Sequence, residues 1–181
     1  SSRDARVNAM LAEVRCLPLL RQLGFTDIVY GRQNSLDFKC RLNGNLYEIE
    51  ITYIDGPDFK MQGTPIETEF DQPLYKLTSR KLVNRLKSKY QEEREQIAKK
   101  IVGGKPIIII VTDLFETLPS WLDHDQFEGK HPIQAFVDAC VIPTIVFACG
   151  TNLFFSDKLL NIALNFDRNH YLKMAYGIDV A

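Results

Sequence analysis

The sequence predicts an α/β domain with a mixed central β-sheet flanked by helices, and three observations carry that reading. Alternating apolar and polar residues flank an Asn43-Gly44 pair, the strongest short signal for a β-hairpin. A long amphipathic stretch follows, Lys76 to Val102, closed by Gly103-Gly104. After it comes Ile107-Ile108-Ile109-Ile110-Val111, a β-branched run of the kind that forms a central strand buried on both faces. A strand, a helix of that length and a second strand imply a parallel crossover.

The elements then follow in order. From Arg3 to Leu23, the residues Val7, Met10, Leu11, Val14 and Leu17 recur at helical spacing, with Gly24 as a stop and Pro18 as the place for a kink or restart. Glu13 lies beside that stripe, where it either turns inward toward the hairpin or stays in water. Phe25 to Tyr30 reads as a short strand, and Gly31 to Ser35 as a turn into the hairpin.

With Asn43 and Gly44 as the two loop residues, Leu42 opposes Asn45. Counting outward sets Lys39 against Glu48 and Asp37 against Glu50. Strand side chains alternate with period two, so these four share one face, while Phe38, Cys40, Tyr47, Ile49 and Ile51 form the core face.

Residues Asp55 to Pro73, with Gly56-Pro57, Gly63, Pro65 and the acids Asp58, Glu67, Glu69 and Asp71, have loop composition. In the long helix, Leu82, Val83, Leu86, Tyr90, Ile97 and Ile101 form the expected buried side, and lysines and arginines outnumber acids. That makes it the candidate phosphate contact. Lys87 and Gln91 share a face next to Leu86 and Tyr90, from which both would lean toward the hairpin acids or lie in solvent. Beyond the isoleucine run, Leu114 to Trp121 and a polar stretch from Asp123 to His131 precede a short helix at Pro132 to Asp138. A buried strand is expected at Val141 to Ala148, a strand-like end at Asn152 to Phe155 after Gly150, and a helix at Lys158 to Leu164. Residues 165–181 form a polar and aromatic tail. The whole of 1–181 reads as one domain with its core in about 3–155.

Composition narrows the function. A formal net charge of −1 excludes a globally basic nucleic-acid coat, so contact with phosphates needs a local patch. Cys16, Cys40, Cys140 and Cys149 lack a CxxC pair and fall in apolar segments, as reduced core thiols do. Without a secretory signal or a bilayer-length apolar run, a cytoplasmic protein with no membrane partner is the expectation. Gly103-Gly104-Lys105-Pro106 has the strand and helix of a phosphate loop in reversed order. His124, His131 and His170 have no metal-ligand spacing, and neither an acyl-hydrolase nor a dinucleotide motif occurs.

Crowded carboxylates such as Asp37, Glu48 and Glu50 repel unless a cation, a proton or water compensates them. Oxygen ligands of this kind suit Mg²⁺, which commonly binds one or two carboxylates, several waters and substrate phosphates. Opposite charges at Lys39 and Glu48 equally suit cross-strand pairing on a solvated sheet face.

An opening helix bearing an acid, a hairpin with Asp on its first strand and Glu-x-Glu on its second, then a helix and further strands, resembles the PD-(D/E)XK nuclease superfamily over residues 3 to about 112. The resemblance implies a restriction-endonuclease-like fold and Mg²⁺- or Mn²⁺-dependent hydrolysis of DNA. It implies metal binding by Asp37 and Glu48, with Glu13 or Glu50 supporting the metal or activating water. Glu50 stands where the family has Lys, so Lys39 or Lys87 would supply the positive charge, and Gln91 would orient substrate. The departure at Glu50 also motivates an alternative, a nuclease-like module that has lost hydrolysis and serves nucleic-acid binding or protein assembly.

Overall fold

In the computed structural model the described residues are 2–54, 72–112, 131–148 and 152–159, with 161, 167, 170 and 173. They form an α/β arrangement in the order α1 (Ser2–Gln22), β1 (Thr26–Tyr30), β2 (Phe38–Leu42), β3 (Asn45–Ile54), α2 (Gln72–Ile97), β4 (Lys105–Thr112), α3 (Pro132–Ala139), β5 (Thr144–Ala148) and β6 (Asn152–Phe155), with a 3₁₀ turn at Asp157–Leu159. The six strands lie in chain order in one mixed sheet: β3, β4 and β5 are parallel, and the other neighbours are antiparallel.

The hairpin has the register its turn dictates. Asn43 and Gly44 take φ of 50° and 79°, the left-handed pair that a type I′ turn requires. Leu42 faces Asn45 and Lys39 faces Glu48. Gly31 closes the loop before β2 by donating its N–H to the Asp37 carbonyl at 2.8 Å, and a Cβ there would lie 1.7 Å from the Leu36 carbonyl oxygen. Only glycine fits that approach.

Helices cover both faces of the sheet. On one side α1 contributes Ala12, Cys16, Leu19, Leu20 and Leu23, packed on Phe38, Cys40, Ile49, Ile107 and Ile109. On the other, Leu86, Tyr90 and Ile97 of α2 and Ile133, Phe136 and Val137 of α3 pack on Ile54, Ile108, Ile110 and Val146. The hairpin face bearing Glu48 and Glu50 is therefore interior. A solvated sheet face is ruled out, because Glu48 is 0% exposed and Glu50 5%.

Several expectations need correction. The buried stripe of α1 is not the one read from sequence: Val7, Met10, Leu11 and Val14 are exposed, Met10 by 67%, and positions 12, 16, 19, 20 and 23 are buried instead. Both sets repeat at helical spacing, and contact with the sheet selects the second. The helix also runs through Pro18 without a restart. The bond lost at an interior proline costs about 3 kcal/mol, and the fully buried Leu19 and Leu20 oppose that loss by holding the last turns on the sheet. Finally, α2 ends at Ile97, so Ile101 leaves the buried side and is 77% exposed. The sequence-read strand at 141–148 begins at Thr144; of the expected helix at 158–164, Lys158 and Leu159 lie in the 3₁₀ turn, Asn161 is helical, and 160 and 162–164 lie outside the described residues. The loop acids between 55 and 71, the segment 114–121, the polar residues 123–130 with His124, and Cys149 lie outside the described residues.

Candidate functional site

Two carboxylates on the inner face of β3 are held in different ways. The Glu48 Oε2 accepts hydrogen bonds from the backbone N–H groups of Gly103 at 2.6 Å and Gly104 at 2.9 Å. Its Oε1 lies 3.3 Å from the Lys39 ammonium, an ion pair without a directed hydrogen bond. Glu48 thus fastens the α2–β4 connection to the sheet. The glycine pair that sequence alone set aside as a phosphate loop does bind an anion, the chain's own carboxylate. Gly104 must be glycine for this, since a Cβ would meet the Leu46 carbonyl oxygen at 2.8 Å.

Glu50 instead meets Lys100, whose ammonium donates to Oε1 at 2.5 Å, while the buried Oε2 has no hydrogen-bond partner among the described residues. Lys100 is delivered by the turn that follows α2. Its own N–H bonds the Ile97 carbonyl at 3.0 Å, and the next residue, Ile101, donates to the Asn34 carbonyl at 2.9 Å. One connection thereby joins the helix, the β1–β2 loop and the hairpin.

Asp37 lies one residue before β2, and continuing the hairpin register pairs it with Glu50. Its Oδ2 accepts the Ile51 N–H at 2.7 Å. Burial pushes the Asp37 carboxyl above its ordinary range; the Ile51 hydrogen bond and Lys100 pull it back, and Glu93 pushes it up again. Glu50 is also raised, by burial first, with Lys100 opposing and with Asp37 and Glu93 adding repulsion. On α1, half-buried Glu13 is raised by burial and by Asp37. Cys16 behind it is held above the ordinary thiol range by burial, Glu13 and Asp37, so it is inert.

Asp37 is therefore the junction of the cluster. It couples electrostatically to Glu13 on α1 and to Glu50, Glu93 and Lys100. Glu93 is itself buried and ion-paired with Lys89 at 3.3 Å. Among the described residues these four carboxylates accompany two ammonium groups, an excess of negative charge.

Of the residues singled out from sequence, Asp37 couples electrostatically to Glu13 and to Glu50, while Glu48 and Lys39 lie one strand repeat away as a clamp. Lys87 and Gln91 are exposed, and Gln91 donates to Glu95 at 3.0 Å; neither leans toward the hairpin acids. The helix turns a different line inward, Leu86, Tyr90, Glu93 and Ile97. Glu93 and Lys100 were missed. The signal for Glu93 was present: an acid three residues after Tyr90 and four before Ile97 occupies an apolar position of the stripe. Lys100 carried no such mark, since its place depends on where the helix ends.

Among the described residues no group of three or more His, Cys, Asp or Glu side chains is arranged to hold a metal ion, so Asp37, Glu48 and Glu50 do not form a three-carboxylate cage. No described helix is long and apolar enough to cross a membrane. Compared with models of known protein families, with curated proteins and with solved structures, the chain matches none.

Proposed function

We propose that the chain is a restriction-endonuclease-like domain that hydrolyses phosphodiester bonds of DNA with Mg²⁺ or Mn²⁺, and that Asp37 and Glu50 form its cation-facing pair. The supporting observation is the buried Glu50 Oε2, an acceptor with no partner among the described residues, beside an Asp37 carboxylate with which it repels. A buried, unpartnered acceptor in a cluster of excess negative charge fits a hard cation. Magnesium needs only one or two carboxylates, because waters and substrate oxygens complete its shell, so the lack of a three-carboxylate cage is compatible with it.

Such an ion, when bound, polarises a phosphoryl oxygen and acidifies water. The protein's own groups have separate tasks. Asp37 and Glu50 hold the cation, and the ammonium of Lys100 offsets charge on the phosphate, the task the resemblance gives to the missing lysine. Glu13, whose carboxyl burial and Asp37 push above its ordinary value, accepts a proton from the attacking water. Glu48 and Lys39 act at one remove by fixing the connection that carries Lys100.

Cleavage of supercoiled and linear DNA in Mg²⁺ or Mn²⁺ tests the proposal. Wild type should cut, and Glu50→Gln and Asp37→Asn should each lower the rate by about a hundredfold or more. Wild-type activity matched by both variants would remove the pair from the mechanism.

One observation favours a second reading. The Lys100 ammonium, 2.5 Å from Glu50, already supplies positive charge to the cluster. A module that has lost hydrolysis and serves nucleic-acid binding or assembly would keep that ion pair in place of a metal, and would show neither cleavage nor cation binding.

A further inference from the structure

A cavity of about 440 Å³ opens at the hairpin-turn end of the sheet, lined by Leu42, Asn43, Tyr47, Lys105, Pro106, Pro143, Lys158, Leu159 and Asn161. It is separate from the acid cluster. Tyr47 and Glu50 differ by an odd number of residues on one strand, so their side chains leave opposite faces of the sheet, about 10 Å apart along the strand. Tyr47 packs with the α1 layer, its ring edge-on to Phe25 at 5.6 Å.

The lining has two kinds of surface. Leu42, Pro106, Pro143 and Leu159 with the Tyr47 ring make an apolar wall suited to a flat body. Two lysines, Lys105 and Lys158, are part of the lining. Lys105 Nζ lies 5.9 Å from the Tyr47 ring centroid and forms no ion pair among the described residues. Among the described residues Lys158 Nζ donates once, to the Cys140 carbonyl at 2.5 Å, out of three donors. The amides of Asn43 and Asn161 add donors and acceptors of the sort that read a base edge. The volume lies within the range of small-molecule sites.

We infer that this cavity binds a nucleoside monophosphate, free or at the end of a strand, with its phosphate between Lys105 and Lys158 and its base against the wall containing Tyr47. The inference stands on the cavity and its two lysines and is independent of the reading of the acid cluster, so the test omits divalent cations.

Calorimetric titration with adenosine 5′-monophosphate, adenosine and inorganic phosphate should give saturable binding for the first and weaker binding for the other two. Lys105→Ala should weaken the nucleotide by about tenfold or more, the usual effect of losing a hydrogen bond to a charged group. Lys99→Ala, which removes an exposed lysine outside the cavity, should leave it within about twofold. A 5′-phosphorylated oligonucleotide distinguishes the two sources: tighter binding than the mononucleotide identifies a strand end, and equal or weaker binding a free nucleotide. Absence of saturable binding by both phosphorylated ligands overturns the inference. So does a Lys105→Ala protein that binds as wild type, or an equal loss in Lys99→Ala, which would reduce the effect to general attraction.

Discussion

Truncating Glu48 separates a structural clamp from a metal ligand. Glu48→Ala removes the acceptor of the Gly103 and Gly104 N–H groups and the partner of Lys39, at a position with no access to water. The Lys39 ammonium left behind is 39% exposed, so the loss is that of a charged acceptor of two hydrogen bonds, about 3 kcal/mol. For a chain of this size each kcal/mol shifts Tm by about 2–4 °C, so the expected fall is roughly 6–12 °C. Glu48→Gln keeps an oxygen for the glycine N–H groups and loses only charge assistance, a cost of about 1–2 kcal/mol. Urea denaturation and thermal melts of the three proteins, without divalent cations, give the comparison. A Glu48→Ala protein as stable as wild type would refute the clamp. Equal losses in Ala and Gln would show that charge, not the fastening of the α2–β4 connection, sets the contribution.

Other predictions follow from the same geometry. A cation held by Asp37 and Glu50 stabilises the fold by about 2.7 kcal/mol at a hundredfold excess over its Kd; a Mn²⁺-dependent rise in Tm is expected in wild type and not in Glu50→Gln, and an equal rise in both would place the ion elsewhere. The carboxyls of Glu13, Asp37 and Glu50 are raised above their ordinary values of 4.5, 3.8 and 4.5, so the folded chain holds protons that the unfolded chain has released. Their contribution to stability is greatest below those ordinary values and declines as pH rises through the folded ones. Asp37→Asn should flatten that decline in urea titrations run from pH 4 upward, and an unchanged slope would contradict it. Lys87→Ala and Gln91→Ala, both on the exposed side of α2, should alter stability by less than about 0.5 kcal/mol each and leave cation binding unchanged. A loss of binding in either would require the helix to turn its other side to the site.

The hairpin was the most legible part of the chain because its information is local. Asn43-Gly44 fixes the turn, the turn fixes the register, and the register pairs Lys39 with Glu48. The parallel crossover to β4 was readable for a related reason: a long helix between two strands leaves few ways back to the sheet. What the hairpin could not disclose is that a second layer buries its charged face, which depends on α2 and α3, far away in sequence. The same dependence misled the reading of α1, where two apolar lines compete and only the sheet decides between them. Within the site, Asp37 and Glu50 were visible as a cross-strand pair, but Glu48 reads identically in sequence and differs only because Gly103 and Gly104 arrive from the far end of α2. Lys87 and Gln91 were placed by their spacing from Leu86 and Tyr90, yet the inward line runs through Glu93.

Calorimetric titration of the wild-type chain with Mn²⁺, beside Asp37→Asn and Glu50→Gln, tests the central claim most directly. One saturable site in wild type, absent from both variants while their folds persist, is the predicted result. A wild-type chain that binds no cation, with the Lys100–Glu50 ion pair intact, would contradict the enzyme and favour the module that has lost hydrolysis.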